Sequence, residues 1–292
     1  MRGPLPHMFG QFRNLTAGEW SLLVRPRLLL MVCASTLTGA LLARSGAWTE
    51  VVRATLAVGL LSFAGTLVNQ VQERRIDALM TRTCHRPLAT GRLSVEAALV
   101  LAMMLLATGA GLLFNRPVAL LLGLAAVALY NLVYTPLKSR TPLALFPGAV
   151  SGALPPLVGW ATCGRSLLDG GVLLFGLLLA IWQVPHFLLL MLKYRDDYRQ
   201  AGLPVLADRL GRNRLNLVVA CWVLAVGSVL VAHGVGPGLG LPARLAMPAI
   251  GSWLVLCLAR QMRRGELRPL FVRVNMVMGL VIAVLAADRF WG

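Results

Sequence analysis

Nine stretches of this chain approach the roughly 20 apolar residues that a helix needs to cross a hydrocarbon core. They lie near 28–43, 51–70, 95–114, 117–134, 142–162, 168–190, 214–234, 243–262 and 270–287. In lipid, each segment must satisfy its own backbone polar groups, and a helix does so. The expected fold is therefore all-α: a polytopic membrane protein with nine transmembrane helices in one bundle. We divide the chain into an N-terminal cytoplasmic segment, 1–27, and a single membrane domain, 28–292. Composition agrees, with 58% hydrophobic and 13% charged residues, where a soluble domain carries about 25% charged. The run Gly148 to Gly159, rich in Gly and Pro, marks kinked or closely packed helices, since small residues let membrane helices approach.

The net charge of +17 has a topological cause. Lys and Arg in short loops are retained on the cytoplasmic side. Alternating the spans puts 22 of the 28 basic residues on one side, leaving only Arg44, Arg53, Arg116, Arg165, Arg244 and Arg289 on the other. This places the N-terminus inside and the C-terminus outside. No nucleic-acid partner is needed to explain the charge, and no aromatic-interleaved basic sheet, zinc motif or helix-turn-helix pattern accompanies it.

The five cysteines, Cys33, Cys84, Cys163, Cys221 and Cys257, are odd in number and lack metal-ligand spacing, which excludes a disulfide framework and a zinc site. The first 27 residues hold four arginines and no long apolar core, which predicts no cleavable signal peptide; their basic, acid-poor character leaves a short presequence open.

Topology does not explain two acidic clusters, which we place in inside loops at 69–92 and 182–214. In the first, Asn69, Glu73 and Asp77 recur every four residues and share one face of any helix they occupy. Oxygen ligands so arranged suit Mg²⁺, which typically binds one or two carboxylates together with substrate phosphates. Arg74, Arg75, Arg82 and Arg86 follow as fork-shaped donors for a diphosphate. The alternative is an exposed acid–base surface, whose ion pairs contribute little. In the second loop Asp196 and Asp197 stand among Lys193, Arg195 and Arg199, and Lys138 and Arg140 belong to a third loop. Two acidic loops backed by cations on one side suit a metal-bridged diphosphate. A transporter would bury such groups across the midplane, and a non-catalytic assembly factor would not need the acidic pairs.

The pattern N-x-x-x-E-x-x-x-D-x-x-M-x-R-T-x-x-R-P-L-x-x-G from Asn69 to Gly91 resembles the first motif of the UbiA-type intramembrane prenyltransferases. Met80, Arg82-Thr83 and Arg86-Pro87-Leu88 are similar to the branch that farnesylates heme. Tyr134-Thr135-x-x-Lys138, Pro155-Pro156-x-x-Gly159-Trp160, Trp182-Gln183-x-Pro185-His186-Phe187 and Asp197-Tyr198-x-x-Ala201-Gly202 follow in matching order, so the resemblance spans roughly residues 24 to 287. Glu73 stands where these enzymes often carry Asp.

The resemblance implies transfer of a farnesyl group from farnesyl diphosphate to a vinyl group of heme B, adding a hydroxyl and giving heme O and diphosphate, with Mg²⁺ as cofactor. It implies Asn69, Glu73, Asp77 and Asp197 as catalytic metal ligands, and Arg82, Arg86, Lys138 and Arg195 as diphosphate-binding residues. Trp182 and His186 are the candidate acceptor-binding pair, the histidine chosen over His7, His85 and His233 because it lies within an apolar run beside Pro185. A quinone or chlorin precursor is the alternative acceptor. The expected setting is a bacterial inner membrane with the site facing the cytoplasm. Membrane lipid and heme A synthase or terminal-oxidase assembly proteins are the expected partners.

Overall fold

A computed structural model describes residues 10–44, 47–236 and 238–291; His7 lies outside them. Helices α1 (Ala17–Val24), α2 (Pro26–Leu42), α3 (Trp48–Asp77), α4 (Val95–Leu112) and α5 (Pro117–Ala128) come first, and α5 runs through a π-helical segment, Leu129–Tyr134, into α6 (Thr135–Lys138). A 3-10 turn, Pro142–Ala144, leads to α7 (Leu145–Thr162), α8 (Gly170–Lys193), α9 (Arg195–Gln200), α10 (Leu206–Val235), α11 (Leu241–Arg264) and α12 (Leu270–Trp291).

Eight of these segments are long and apolar enough to cross a membrane, and nine if α1 and α2, bent 46° from each other, count as one broken span. The bend falls at Arg25, whose left-handed φ of 55° ends α1, while Pro26 begins α2 with its φ already helical. Helix α2 thus covers the short expected span over 28–43 as far as Leu42, with α1 set against its start at the bend.

One difference concerns the first acidic region. Helix α3 does not stop near residue 70 but continues to Asp77, so Asn69, Glu73 and Asp77 sit on its last turns and are buried. The segment after it turns back beneath the bundle. Thr83 Oγ1 donates to Asp77 O at 3.0 Å and closes the helix end, and Met80, Thr83 and Arg86 are all buried.

The helices close into a ring. Helix α2 packs on α3 and α7, α7 on α5 and α8, α8 on α10, α10 on α11, α11 on α12, and α12 returns to α2. The α2–α7 contact is backbone against backbone: a Cβ at Gly39 would fall on the carbonyl of Pro156, and one at Gly159 on the carbonyl of Thr36. On the side opposite the acidic motif, Arg44 donates to buried Asp288 Oδ2 at 2.7 Å, and Gly240 N donates to Oδ1 at 2.8 Å. This staple joins the ends of α2, α11 and α12.

Cys84 in the α3–α4 connection and Leu168 in the α7–α8 connection test the orientation. Burial pushes the Cys163 thiol up, which slows maleimide, whereas Leu168 is 88% exposed. With the remaining cysteines removed, Leu168→Cys is expected to label in intact cells with an impermeant maleimide, and Cys84 only after permeabilisation. The reverse pattern inverts the assignment.

Candidate functional site

Helices α2, α3, α5, α7 and α8 surround a cavity of about 1210 Å³, measured out to its open side. One end is polar. Asn69, Glu73 and Asp77 line it from α3, joined by Arg82 and Arg86 from the returning segment and by Lys138 from α6. The other end is apolar, walled by Val32, Val58, Leu61, Val127 and Val158. Along α3, Glu73 to Leu61 is about 18 Å at the helical rise, which gives the cavity a long axis with charge at one end.

The acids are held by cations. Arg86 Nη1 donates to Asp77 Oδ2 at 2.6 Å, and Lys138 Nζ donates to Glu73 Oε1 at 2.9 Å. Burial pulls the Arg86 guanidinium below its ordinary value, and Asp77 opposes that shift. The exposed acid–base surface weighed from sequence is thereby corrected: both carboxylates are buried, because α3 carries them inward along with its apolar residues.

Asn69 differs from its neighbours. Its Nδ2 donates to Thr135 Oγ1 at 3.0 Å, while its buried Oδ1 has no partner. A buried acceptor without a donor costs free energy, so a cation supplied from outside the chain suits it. Among the described residues no three His, Cys, Asp or Glu side chains form a metal cluster by themselves. The donor set fits Mg²⁺ completed by water and phosphate oxygens rather than an all-protein cage.

Arg25 belongs to this end and is not apparent from the spacing of the motif. It lines the cavity, and its Nη1 lies 3.4 Å from Tyr130 Oη, to which it donates. Tyr130 and Tyr134 also line the cavity, stacked with ring centroids 5.5 Å apart. The local signals were Arg25 before Pro26, where helices break, and two tyrosines four residues apart, which share a face.

The second acidic region reaches the site indirectly. Asp197 does not line the cavity; its Oδ2 accepts from Arg82 N at 3.3 Å, joining α9 to the returning segment. The Arg82 guanidinium stacks 4.9 Å from the Tyr194 ring centroid. Arg195 is engaged elsewhere: with Arg199 it grips Asp208, whose carboxyl these two arginines, Arg199 first, hold down to about 2. From α9 the residue facing the cavity is Tyr198.

On α8 the cavity face is Gln183, Phe187 and Leu190, spaced as one helical stripe. Trp182 and His186 turn to α12 instead. Trp182 Nε1 donates to Val274 O at 2.7 Å, and the His186 ring lies 5.0 Å from Trp182, 5.5 Å from Phe187 and 5.4 Å from Phe271. His186 Nδ1 is buried without a partner. Phe187 thus lines the cavity and also meets the histidine ring edge-on.

A profile of the UbiA prenyltransferase family matches residues 32–279. The chain is 41% identical over 246 residues to the protoheme IX farnesyltransferase of Geobacter sulfurreducens, covering 84% of this chain and 90% of that one. It is 33% identical over 279 residues to the protein of the same name from Nitratidesulfovibrio vulgaris, covering 94% and 96%. Its fold matches a UbiA homolog from Archaeoglobus fulgidus bound to GPP and Mg²⁺, with a TM-score of 0.71 at 15% identity, over 93% of this chain and 99% of that one.

Proposed function

Because the chain belongs to the UbiA prenyltransferase family, we infer that it is a membrane prenyltransferase that transfers a farnesyl group from farnesyl diphosphate to a vinyl group of protoheme IX, giving heme O and diphosphate. The observation that carries the reading is the cavity's polarity: buried acids and cations at one end and an apolar wall beyond them. That is the shape of a prenyl diphosphate. Relatives named for farnesyl transfer to protoheme IX support the choice of donor and acceptor.

Breaking the allylic C–O bond sends the bonding pair to the diphosphate, and the developing negative charge is the main obstacle. Buried Arg86 and half-buried Lys138, with Arg82 and Arg25 beside them, present preorganised positive charge to it. Asn69, Glu73 and Asp77 would hold Mg²⁺, which when bound neutralises diphosphate charge. Asp197 acts at one remove, through the backbone of Arg82, and Arg195 with Asp208 braces the α9–α10 corner. The valines and leucines of the deep wall hold the farnesyl chain extended. The vinyl π pair then forms the new C–C bond, and the resulting cation takes the oxygen of a water that gives up its proton.

His186 and Trp182 are assigned to the porphyrin. An unpartnered ring nitrogen enclosed by Trp182, Phe187 and Phe271 supports this assignment, since a flat metal-bearing ring has use for both the nitrogen and the aromatic faces. The site faces the cytoplasm of a bacterial inner membrane, where the positive-inside distribution supports placing it.

Purified protein incubated with farnesyl diphosphate, Mg²⁺ and heme B is expected to convert the pigment to one heavier by a farnesyl and a hydroxyl group, read by mass spectrometry. Release of diphosphate with unchanged pigment overturns the acceptor. In the same preparation His186→Ala is expected to weaken the Soret shift on heme titration while leaving affinity for a farnesyl diphosphate analogue intact; an unchanged titration returns His186 to a packing role.

A further inference from the structure

Thr135 stands outside the acidic motif and carries no charge, yet it touches Asn69, the motif residue with a fully buried side-chain atom that lacks a partner. Its Oγ1 donates to Tyr130 O at 2.8 Å and accepts from Asn69 Nδ2 at 3.0 Å. A hydroxyl has one proton. With that proton committed to the Tyr130 carbonyl, the Thr135 oxygen can only accept, so the amino group of Asn69 must face it. The carbonyl Oδ1 is then turned the other way, where it is buried without a partner in a residue that lines the cavity.

The backbone explains why the hydroxyl is there. Pro136 has no N–H to donate to the carbonyl four residues back and its ring crowds that carbonyl. The helix widens ahead of it into the π segment Leu129–Tyr134, and Thr135 N donates to Tyr130 O five residues earlier. Such single π turns are frequent at functional sites. The same carbonyl therefore receives both the backbone N–H and the hydroxyl of Thr135, which fixes the side chain while α6 carries Lys138 toward Glu73. Thr135 and Asn69 are both buried, so water does not compete for the contact.

We propose that Thr135 is a positioning residue for the cation site: by taking the amide N–H of Asn69, it presents Asn69 Oδ1 to a divalent metal bound with the prenyl diphosphate. The proposal rests on the metal reading above and adds a residue to it. Partners that orient a metal ligand in this way typically change metal affinity about 10–100-fold when removed.

The test uses the full-length protein in detergent or nanodiscs with Mn²⁺ as the probe, its binding followed by electron paramagnetic resonance in the presence of an unreactive farnesyl thiodiphosphate. Thr135→Val removes the hydroxyl at nearly constant volume, and Thr135→Ser keeps it. Thr135→Val is expected to weaken Mn²⁺ about 10–100-fold and Thr135→Ser to restore the parent value, while both keep the parent's melting temperature within a few degrees and bind the thiodiphosphate alone as the parent does. A Thr135→Val protein with parental Mn²⁺ affinity overturns the proposal, as does a Thr135→Ser protein as impaired as Thr135→Val. If the parent itself binds no Mn²⁺ beside the thiodiphosphate, the metal reading falls and this proposal with it, so the two failures are distinguishable.

Discussion

Glu73→Gln and Asp77→Asn are each expected to lower turnover about 10²–10³-fold, the loss typical when one preorganised electrostatic partner is removed. The experiment needs a stability control, because the pairs are not superficial. Asp77 and Arg86 show side-chain exposures of 5% and 7%, and Glu73 and Lys138 show 8% and 17%. Removing one member of a buried pair leaves the other charge uncompensated and costs about 3–5 kcal/mol. A fall in activity alone therefore does not separate a chemical role from a structural one. Asp77→Asn combined with Arg86→Gln removes both charges and is expected to recover most of the lost melting temperature but none of the turnover, since the proposed reaction needs Asp77 for the metal and Arg86 for the diphosphate. Turnover that returns with stability in the double variant overturns the catalytic role, and near-parental turnover in the single variants does so more directly.

Gly159→Val is expected to be among the most damaging substitutions away from the cavity. A Cβ there meets the Thr36 carbonyl, and Ala40 N lies 2.9 Å away; both are backbone atoms of α2 that cannot rotate aside. Gly39→Val is the reciprocal insult, against the backbone of Pro156. Overpacking costs about 1–3 kcal/mol where side chains can adjust and more where they cannot, so about 3 kcal/mol or more is expected for each. Gly111, with nothing within 4 Å of an added Cβ, is the control, and Gly111→Ala is expected to change stability by no more than about 0.5 kcal/mol. Thermal unfolding followed by intrinsic fluorescence separates the three. A Gly159→Val protein as stable as Gly111→Ala would mean that α2 and α7 do not approach as described.

The acidic motif was legible because a helix repeats every 3.6 residues, so Asn69, Glu73 and Asp77 had to share a face. Their burial was not legible. Polar letters after an apolar run look like the end of a span, and only the continuation of α3 to Asp77, covered by the returning segment with Arg86, shows otherwise. Arg195 and Trp182 illustrate the opposite case. Both have the right chemistry and neighbourhood in the sequence, yet Arg195 is taken by Asp208, and Trp182 gives its Nε1–H to the carbonyl of Val274, which leaves it only the ring face to offer an acceptor. Rotating one residue along α8 turns the direction of a side chain by about 100°, which is why Gln183 lines the cavity and Trp182 does not.

The sequence by itself determined the properties that arise from composition and period: helices long and apolar enough to cross a membrane, and an acidic motif on one helical face. These are local, since hydropathy over some twenty residues and a repeat of four need no knowledge of what packs beside them. The tertiary structure decided which charges meet. Arg25 reaches Tyr130 across 105 positions and Lys138 reaches Glu73 across 65, and Thr135 reaches Asn69 across 66. Such contacts depend on helix order, on the left-handed break at Arg25 and on the π turn before Pro136. Each rotates or displaces a whole element by an amount that spacing along the chain does not encode.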